Sequence, residues 1–393
     1  MIIRKVTEAE MPRVNQLFNI AFEMSFQGEP CITPGPGVQS WAAFDGDAMM
    51  STFTTSDYQI RFDGHSCKMA GLGGVATLPQ YRRMGGIREC FKACLPSLYR
   101  ENYDFSYLYP FSTGYYRKFG YECCVQKLLV SVDLGLLKPR PQEGHFVLCE
   151  ADHPMKDAIR QVDRFWEEQY NMMVIHEDRD YKWTEKFDPA ENLTFTYVYF
   201  DRENQPKAYT TFRMENQPDG RNLVCSKFFF TDREGFEGLM LLFKSMSTDH
   251  RFVKFQLPAG CSMEYLLPEW SMGAAQWSVQ NAGMVRVINA ASVLRKAAYH
   301  GTGSLTVEIT DPQIEENNGI FRVSFRDGRA ETVEKVSAQP DVRLTVAAFS
   351  ALIAGAIPFR EAALYLGGVE VLNPTMALSQ AFRRKPMMIA DYF

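Results

Sequence analysis

The chain has 393 residues, of which 46% are hydrophobic and 23% are charged, and its formal net charge is −5. This length predicts two or three domains, and with this acidic balance we do not expect the basic footprint of a nucleic-acid-binding protein. No apolar run reaches the roughly 20 residues of a membrane helix, and the first residues predict a strand and not a signal peptide. Nine scattered cysteines without a C-x-x-C pair and six histidines without ligand spacing favour a reduced, cytoplasmic protein that binds no metal.

The N-terminal region predicts a helix among antiparallel strands. Thr7-x-x-Glu10 is a capping box, and the helix behind it places Met11, Val14 and Leu17 on one face. Strands are predicted at residues 2–6, 41–44, 48–55 and 58–62.

A strand that leads into a basic turn is the most informative feature of the chain. Val75 to Leu78 is predicted to be extended, because Pro79 keeps the preceding residue out of the helical region. A glycine-rich segment, residues 71–74, leads into this strand. From Ile87 onwards, apolar residues recur at the spacing of an amphipathic helix.

The turn between this strand and this helix predicts an anion site. It aims free backbone N–H groups and the positive end of a helix dipole at one point, beside Arg82 and Arg83. A pyrophosphate is the anion that we expect there. A nucleoside-triphosphate loop is excluded because no Gly-Lys-Ser or Gly-Lys-Thr is present, and a dinucleotide fold because the glycines precede the strand.

The remaining pattern resembles the acyl-CoA motif of the GNAT N-acetyltransferases. Arg82 and Gly85 match this motif, whereas Ile87 stands where glycine or alanine is usual. An ordinary basic helix start is the alternative interpretation of so short a motif.

Further elements complete the GNAT order and then repeat it. A strand at 105–109, a short helix at 115–119 and a long strand at 121–133 are followed by a polar, proline-containing linker at 136–144. Elements of the same order recur over residues 146–257. There the strand leads into Thr231-Asp232-Arg233-Glu234-Gly235, which is acidic and lacks Arg-x-x-Gly. We therefore expect a second, degenerate GNAT-like domain without a cofactor site.

The last part of the chain predicts a small α+β domain. The predicted elements are a helix at 290–299, strands at 304–309 and 319–325, and apolar helices at 346–353, 359–366 and 375–382. The apolar end, residues 386–393, predicts a docked terminus. The expected fold class is therefore mixed α+β and α/β. The expected domains are residues 1–140, 141–284 and 285–393.

Two GNAT-like domains followed by a small α+β domain resemble the Eis-type acetyltransferases, whose third domain resembles sterol carrier proteins. The resemblance covers the whole chain and rests on four segments in order, which are residues 75–87, 112–121, 283–287 and the terminal Phe393. It implies that acetyl-CoA is the acyl donor and that an amine, of an aminoglycoside-like polyamine or of a lysine, is the acceptor. It also implies a homo-oligomer, specifically a hexamer.

The resemblance also assigns site residues. The acetyl-CoA site would be formed by Val75, Thr77, Arg82, Arg83, Gly85, Gly86 and Ile87. Tyr116 matches the general acid of the family, and the C-terminal carboxylate, here that of Phe393, matches its general base. From the residues alone, a core tyrosine at position 116 and a terminal aromatic that only packs remain alternative interpretations.

We thus expect an acetyl-CoA-dependent N-acetyltransferase that acts on a small-molecule or peptide amine, without a nucleic-acid or membrane partner. Two functions other than catalysis remain as alternative interpretations of the sequence. One is a lipid carrier that works through the third domain, and the other is a non-catalytic acyl-CoA sensor.

Overall fold

The computed structural model describes residues 1–24, 31–266 and 273–392. It divides into two units. The first unit comprises Met1–Val125, Ala282–Lys385 and the chain from Asp391 onwards, and the second comprises Gln126–Asn281 and Pro386–Ala390.

The helices and strands follow each other along the chain in three groups. The first group is β1 (Ile2–Lys5), α1 (Met11–Phe22), β2 (Val38–Asp45), β3 (Ala48–Phe62), β4 (His65–Thr77), α2 (Gly86–Arg100), β5 (Phe105–Leu108), α3 (Thr113–Arg117) and β6 (Glu122–Asp133). The second is β7 (His145–Leu148), α4 (Lys156–Gln169), α5 (Pro189–Asn192), β8 (Thr194–Phe200), β9 (Pro206–Gln217), β10 (Gly220–Phe230), α6 (Arg233–Ser245), β11 (Phe252–Pro258), α7 (Met263–Leu266) and β12 (Ala275–Val287). The third is α8 (Ala290–Lys296), β13 (Gly303–Thr310), β14 (Gly319–Arg326), β15 (Arg329–Val336), β16 (Val342–Thr345), α9 (Val346–Ala354), α10 (Phe359–Tyr365), β17 (Val369–Val371) and α11 (Met376–Ala381). Short 3-10 helices lie at Glu8–Glu10, Pro79–Tyr81, Asp178–Lys186 and Glu315–Asn317.

The large sheet of the first unit has the strand order β1-β2-β3-β4-β5-β12. Its first four strands are antiparallel, β4 and β5 pair in parallel, and residues 284–287 of β12 pair antiparallel with β5. Helix α2 covers this sheet with a buried stripe that includes Ile87, Phe91 and Leu95. The predicted capping box is present, since the Thr7 N–H donates to the Glu10 carboxylate at 2.9 Å.

The sheet of the second unit repeats this arrangement. Its order is β7-β8-β9-β10-β11-β6, and here β10 and β11 are the parallel pair. Helix α6 packs on it through buried Phe236, Leu239 and Phe243. Residues 127–133 of β6 pair with β11, so the strand that the sequence predicts at the end of the first domain lies largely in the second unit.

The C-terminal part of the first unit forms a five-stranded sheet of order β15-β14-β13-β16-β17. Strands β13 and β16 are parallel, and the other neighbours are antiparallel. Helix α9 is almost entirely buried. Together the elements give the predicted mixture of α+β and α/β structure.

Several sequence predictions of individual elements were wrong. The strands predicted at 48–55 and 58–62 are one strand, and the glycine-rich segment at 71–74 lies inside β4. The helix predicted at 115–119 begins two residues earlier because Ser112 caps it, its hydroxyl accepting from the Tyr115 N–H at 3.4 Å. The helix predicted at 290–299 ends at Lys296, because the next residue is extended. The predicted domain boundaries at 140 and 284 stay predictions.

No helix in the described residues is both long and apolar enough to span a bilayer. Within the same residues, no group of three or more acidic, histidine or cysteine side chains is arranged to hold a metal ion. The cysteines are free thiols, and six of the nine are buried.

Candidate active site

The N-terminus of α2 has no capping side chain. Its N-cap residue, Gly85, has a φ of +87° and no side chain that caps the helix. The first intrahelical bond is donated by the Glu89 N–H to the Gly85 carbonyl. In the described structure the N–H groups of Gly86, Ile87 and Arg88 therefore have no acceptor. Three aligned donors and the helix dipole favour an anion at this point.

Gly86 lets this helix end approach the sheet. A Cβ atom at residue 86 would lie 2.5 Å from Ser51 Oγ and 3.2 Å from Ala43 Cβ. Ser51 also accepts a hydrogen bond from the Thr77 hydroxyl at 3.0 Å. The glycine thus fixes the first turn of α2 directly against the end of β4.

Strands β4 and β5 diverge next to this helix end. Their parallel pairing covers Met69–Leu72 and Phe105–Leu108 and stops there. Just beyond, β4 carries a bulge opposite β3, and Gly74 in this bulge has a φ of +63°. The last five residues of β4, 73–77, therefore pair with a strand on one side only. An extended group can hydrogen-bond to their free side as an added strand does.

A cleft of about 490 Å³ lies at the same place. It is lined by Thr77, Tyr81, Arg82, Arg83, Gly85, Gly86, Ile87, Arg88, Lys92, Tyr115, Lys118, Phe119 and Gln313. Six of the seven residues that the resemblance assigned to the cofactor thus lie together. The seventh, Val75, does not line the cleft and packs against the hydrophobic core under α2.

The cleft is strongly cationic, although the whole chain is acidic. Arg82 and Arg83 are exposed and make no ion pair in the described part of the chain. Arg88 and Lys92 bind Glu89, each at 3.0 Å, and hydrogen bonds from these two cations lower the pKa of that carboxyl. Lys118 adds a further positive charge. These five cationic side chains, of which two are paired with Glu89, suit a ligand with several phosphate groups.

The tyrosines next to the cleft occupy different environments. Tyr116 is 2% exposed and packs in an aromatic cluster against Phe91 and Tyr121. Burial raises its pKa above the ordinary phenol range. Tyr115 is half-buried and lines the cleft. Tyr115 thus lines the cleft, whereas Tyr116 is buried in the aromatic cluster.

The far wall of the cleft is held by the C-terminal part of the unit. Arg286 donates to the Phe119 carbonyl at 2.7 Å, and it forms a fully buried ion pair with Asp311 at 2.7 Å. Gln313 donates from its side-chain amide to the Lys118 carbonyl at 3.3 Å. Sequence reasoning missed Gln313, because nothing local relates it to a segment 195 residues earlier.

The C-terminal segment reaches the end of β5. The Tyr109 hydroxyl donates to the Asp391 carbonyl at 2.5 Å, and its ring stacks on Tyr392. Phe393, for which sequence analysis predicts a catalytic carboxylate, lies outside the described residues.

The corresponding helix of the second unit has a different N-terminus. Asp232 caps α6, its carboxylate accepting from the Gly235 N–H at 2.9 Å. The same carboxylate binds Lys207 at 2.9 Å. A built-in negative charge thus stands at the N-terminus of α6, where α2 has no capping side chain.

These observations fit a coenzyme A thioester. Its pyrophosphate suits the open N–H groups of α2 and the arginines, and its amide-containing arm suits the unpaired side of β4. No comparable combination is present at α6, where the cap is a carboxylate.

Comparison with protein families identifies three domains. An acetyltransferase (GNAT) domain matches residues 2–124, a second GNAT acetyltransferase domain matches residues 173–287, and a sterol carrier protein domain matches residues 290–389. No curated protein sequence matches the chain significantly.

Solved structures share this fold over the whole chain. A probable N-acyltransferase from Enterococcus faecalis is 22% identical with a TM-score of 0.86, over 100% of this chain and 99% of that one. A GCN5-related N-acetyltransferase from Anabaena variabilis is 17% identical with a TM-score of 0.84, over 100% of both chains. Eis1 from Mycobacterium abscessus is 16% identical with a TM-score of 0.79, also over 100% of both chains.

These comparisons confirm the Eis-type architecture that the sequence predicts for this chain. Two GNAT domains precede a sterol carrier protein domain, and the first of them contains the uncapped N-terminus of α2. The chain is therefore a GNAT-type acyltransferase with tandem GNAT domains and a C-terminal sterol carrier protein domain.

Proposed function

We propose that the protein transfers an acetyl group from acetyl-CoA to an amine, either of an aminoglycoside-like polyamine or of a lysine. The observation that carries this proposal is the uncapped N-terminus of α2, which opens into a cleft with five cations beside the divergence of β4 and β5. Acetyl-CoA supplies an activated acyl group in its thioester.

The proposed step is a direct transfer. The amine nitrogen bonds to the acyl carbon, the carbon–sulfur bond breaks, and the amine proton passes to the C-terminal carboxylate of Phe393. Tyr116 donates a proton to the leaving sulfur. The described cysteines in this domain are mostly buried, and burial raises the pKa of the Cys90 thiol to about 12. A thiol in this state is a poor nucleophile, which favours direct transfer over an acyl-enzyme.

The environment of Tyr116 bears on its proposed role. Burial keeps its hydroxyl protonated through the neutral range, because its pKa is raised. The same shift makes it a weaker acid than a free phenol. Tyr115, which lines the cleft, is therefore the natural comparison for it. We expect Tyr116→Phe to lower kcat about 100-fold, and Tyr115→Phe to act mainly on the KM for acetyl-CoA.

The first experiment is acceptor-dependent release of CoA thiol across polyamines, aminoglycosides and lysine peptides. We expect release with at least one amine and a collapse of kcat, by about 100-fold or more, when one glycine is appended after Phe393. This extension moves the carboxylate by about 3.5 Å and keeps the aromatic ring. Phe393→Leu, which keeps the carboxylate in place, is the matched control and should stay active.

Other outcomes favour the alternatives. Tight acetyl-CoA binding without thiol release in the presence of any amine would indicate a sensor. Co-purified lipid without acetyl-CoA binding would indicate a carrier. The family resemblance also supports a cytoplasmic homo-hexamer, and light scattering of the purified protein tests this assembly.

A further inference from the structure

A side chain of the first GNAT domain contacts the last described residues of the chain. Tyr109 follows β5 directly, and its hydroxyl donates to the Asp391 carbonyl at 2.5 Å. Its ring stacks on that of Tyr392, with 4.5 Å between the centroids and 18° between the planes. The two partners are 282 residues apart in the sequence.

Tyr109 is itself held on a rigid support. Its ring packs edge-on against Tyr107, with centroids 5.1 Å apart, and Tyr107 is 1% exposed on β5. β5 is paired on both sides, with β4 and with β12. A Cβ atom at residue 283 would lie 1.8 Å from the Tyr107 hydroxyl oxygen, so Gly283 is needed to make room for this ring. The position of Tyr109 is thus set by the central strands of the sheet.

The contact lies at the point where the parallel pairing of β4 and β5 ends. Residue 109 is the first residue beyond Leu108, at which the parallel pairing of β4 and β5 ends. The divergence that begins there is the place proposed for the arm of acetyl-CoA. A chain end held at Tyr109 would therefore lie beside the acyl group of a donor whose arm follows the free side of β4.

Packing alone does not explain this contact. Tyr392 is 74% exposed, so the stacking removes little apolar surface from water. The hydrogen bond from Tyr109 goes to a main-chain carbonyl and not to a side chain, so it fixes the path of the backbone. Burial raises the pKa of Tyr109, so its hydroxyl remains a donor at alkaline pH.

We propose that Tyr109 is a positioning residue that fixes residues 391–392 at the end of β5 and thereby aims the terminal carboxylate at the acceptor amine. This inference rests on the proposed function. It assigns no chemical step to Tyr109 itself.

A double-mutant cycle tests the proposal. Tyr109→Phe removes only the hydroxyl, and we expect kcat to fall about tenfold with an unchanged KM for acetyl-CoA, as the loss of one hydrogen bond allows. In the chain extended by one glycine, whose carboxylate is already displaced, the same substitution should cause no further loss. An equal loss in both backgrounds, or no loss in either, would overturn the proposal.

A second measurement does not depend on activity. Carboxypeptidase digestion followed by intact mass reports how firmly the chain end is held, and we expect Tyr109→Ala to release terminal residues at least about tenfold faster than the unchanged chain. Tyr365→Phe, which removes an exposed hydroxyl bonded to Glu361, is the control and should leave the rate unchanged. Equal rates for all three proteins would contradict the positioning role. Faster release from Tyr109→Ala in a protein that acetylates no amine would support the contact and refute the proposed function.

Discussion

The backbone conformations of Arg83 and Gly85 shape the turn before α2. Arg83 and Gly85 both have positive φ, +67° and +87°, and this conformation turns successive N–H groups toward one side. Glycine adopts it without strain, whereas Arg83 is held there at some cost. The sequence predicted the glycine positions and the two arginines, because turn chemistry is local. It did not predict which tyrosine lines the cleft, since Tyr115 and Tyr116 differ only in the side of a short helix that they face.

The roles of Arg82 and Arg83 in the turn before α2 can be tested by mutation. Replacing both Arg82 and Arg83 by alanine should raise the KM for acetyl-CoA about 100-fold, because charge-assisted hydrogen bonds to phosphate are lost, and should change kcat little. Steady-state kinetics with a saturating amine measures this. Arg100→Ala, which removes an exposed arginine at the other end of α2, is the control. Equal KM values for the two variants would contradict the assignment of the cleft.

Helices α2 and α6 are positioned alike in the two GNAT domains but differ at their N-termini. α2 and α6 each follow a strand that pairs in parallel with its neighbour, and each packs on its sheet through a buried stripe. Their first turns differ because Gly85 offers no cap, whereas Asp232 does. The sequence showed this difference directly. It did not show β12 or β15, because half of β12 and most of β15 are exposed and lack alternating apolar residues.

The two helix N-termini predict one cofactor per chain. Titration calorimetry should give one equivalent of acetyl-CoA, and Asp232→Ala should leave this stoichiometry unchanged. The turn before α6 has no counterpart of Arg82 and Arg83, and Arg233 at the start of α6 is paired with Glu237 at 3.2 Å. The same variant should lose about 1 kcal/mol of stability from the missing cap, measured as a lower midpoint of thermal unfolding. A second equivalent, in the unchanged chain or in the variant, would show that the second domain binds the cofactor.

At the scale of the molecule, the sterol carrier domain helps to shape the cleft. The ion pair of Arg286 and Asp311 is fully buried, and its guanidinium also binds the Phe119 carbonyl. Asp311 further accepts from the Asn317 side chain at 2.9 Å. Gly120 leaves space here, since a Cβ atom would lie 2.6 Å from Val346 Cγ1. The cleft wall of one domain thus depends on the core of another.

Breaking this pair should destabilise the fold strongly. Arg286→Met leaves the Asp311 carboxylate buried and unpaired, which should cost about 3–5 kcal/mol in chemical unfolding. Arg343→Met removes an exposed arginine bound to Glu308 and Glu370 and should cost much less. The double variant Arg286→Met with Asp311→Leu should recover part of the stability, because no charge is left buried. A double variant as unstable as Arg286→Met alone would argue against the unpaired charge as the cause.

The sequence by itself determined the three-domain plan, most of the long helices and the turn from Arg82 to Ile87. These features depend on apolar periodicity, on capping residues and on backbone conformations that glycine permits, all of which act within a few residues. Only the tertiary structure decided that Gln313 lines the cleft, that Arg286 binds the Phe119 carbonyl and that Tyr109 holds Asp391. The two hydrogen bonds join residues that are 167 and 282 positions apart. Arg286 reaches Phe119 because the strand order places β12, which carries it, beside β5. No local pattern encodes such a pairing.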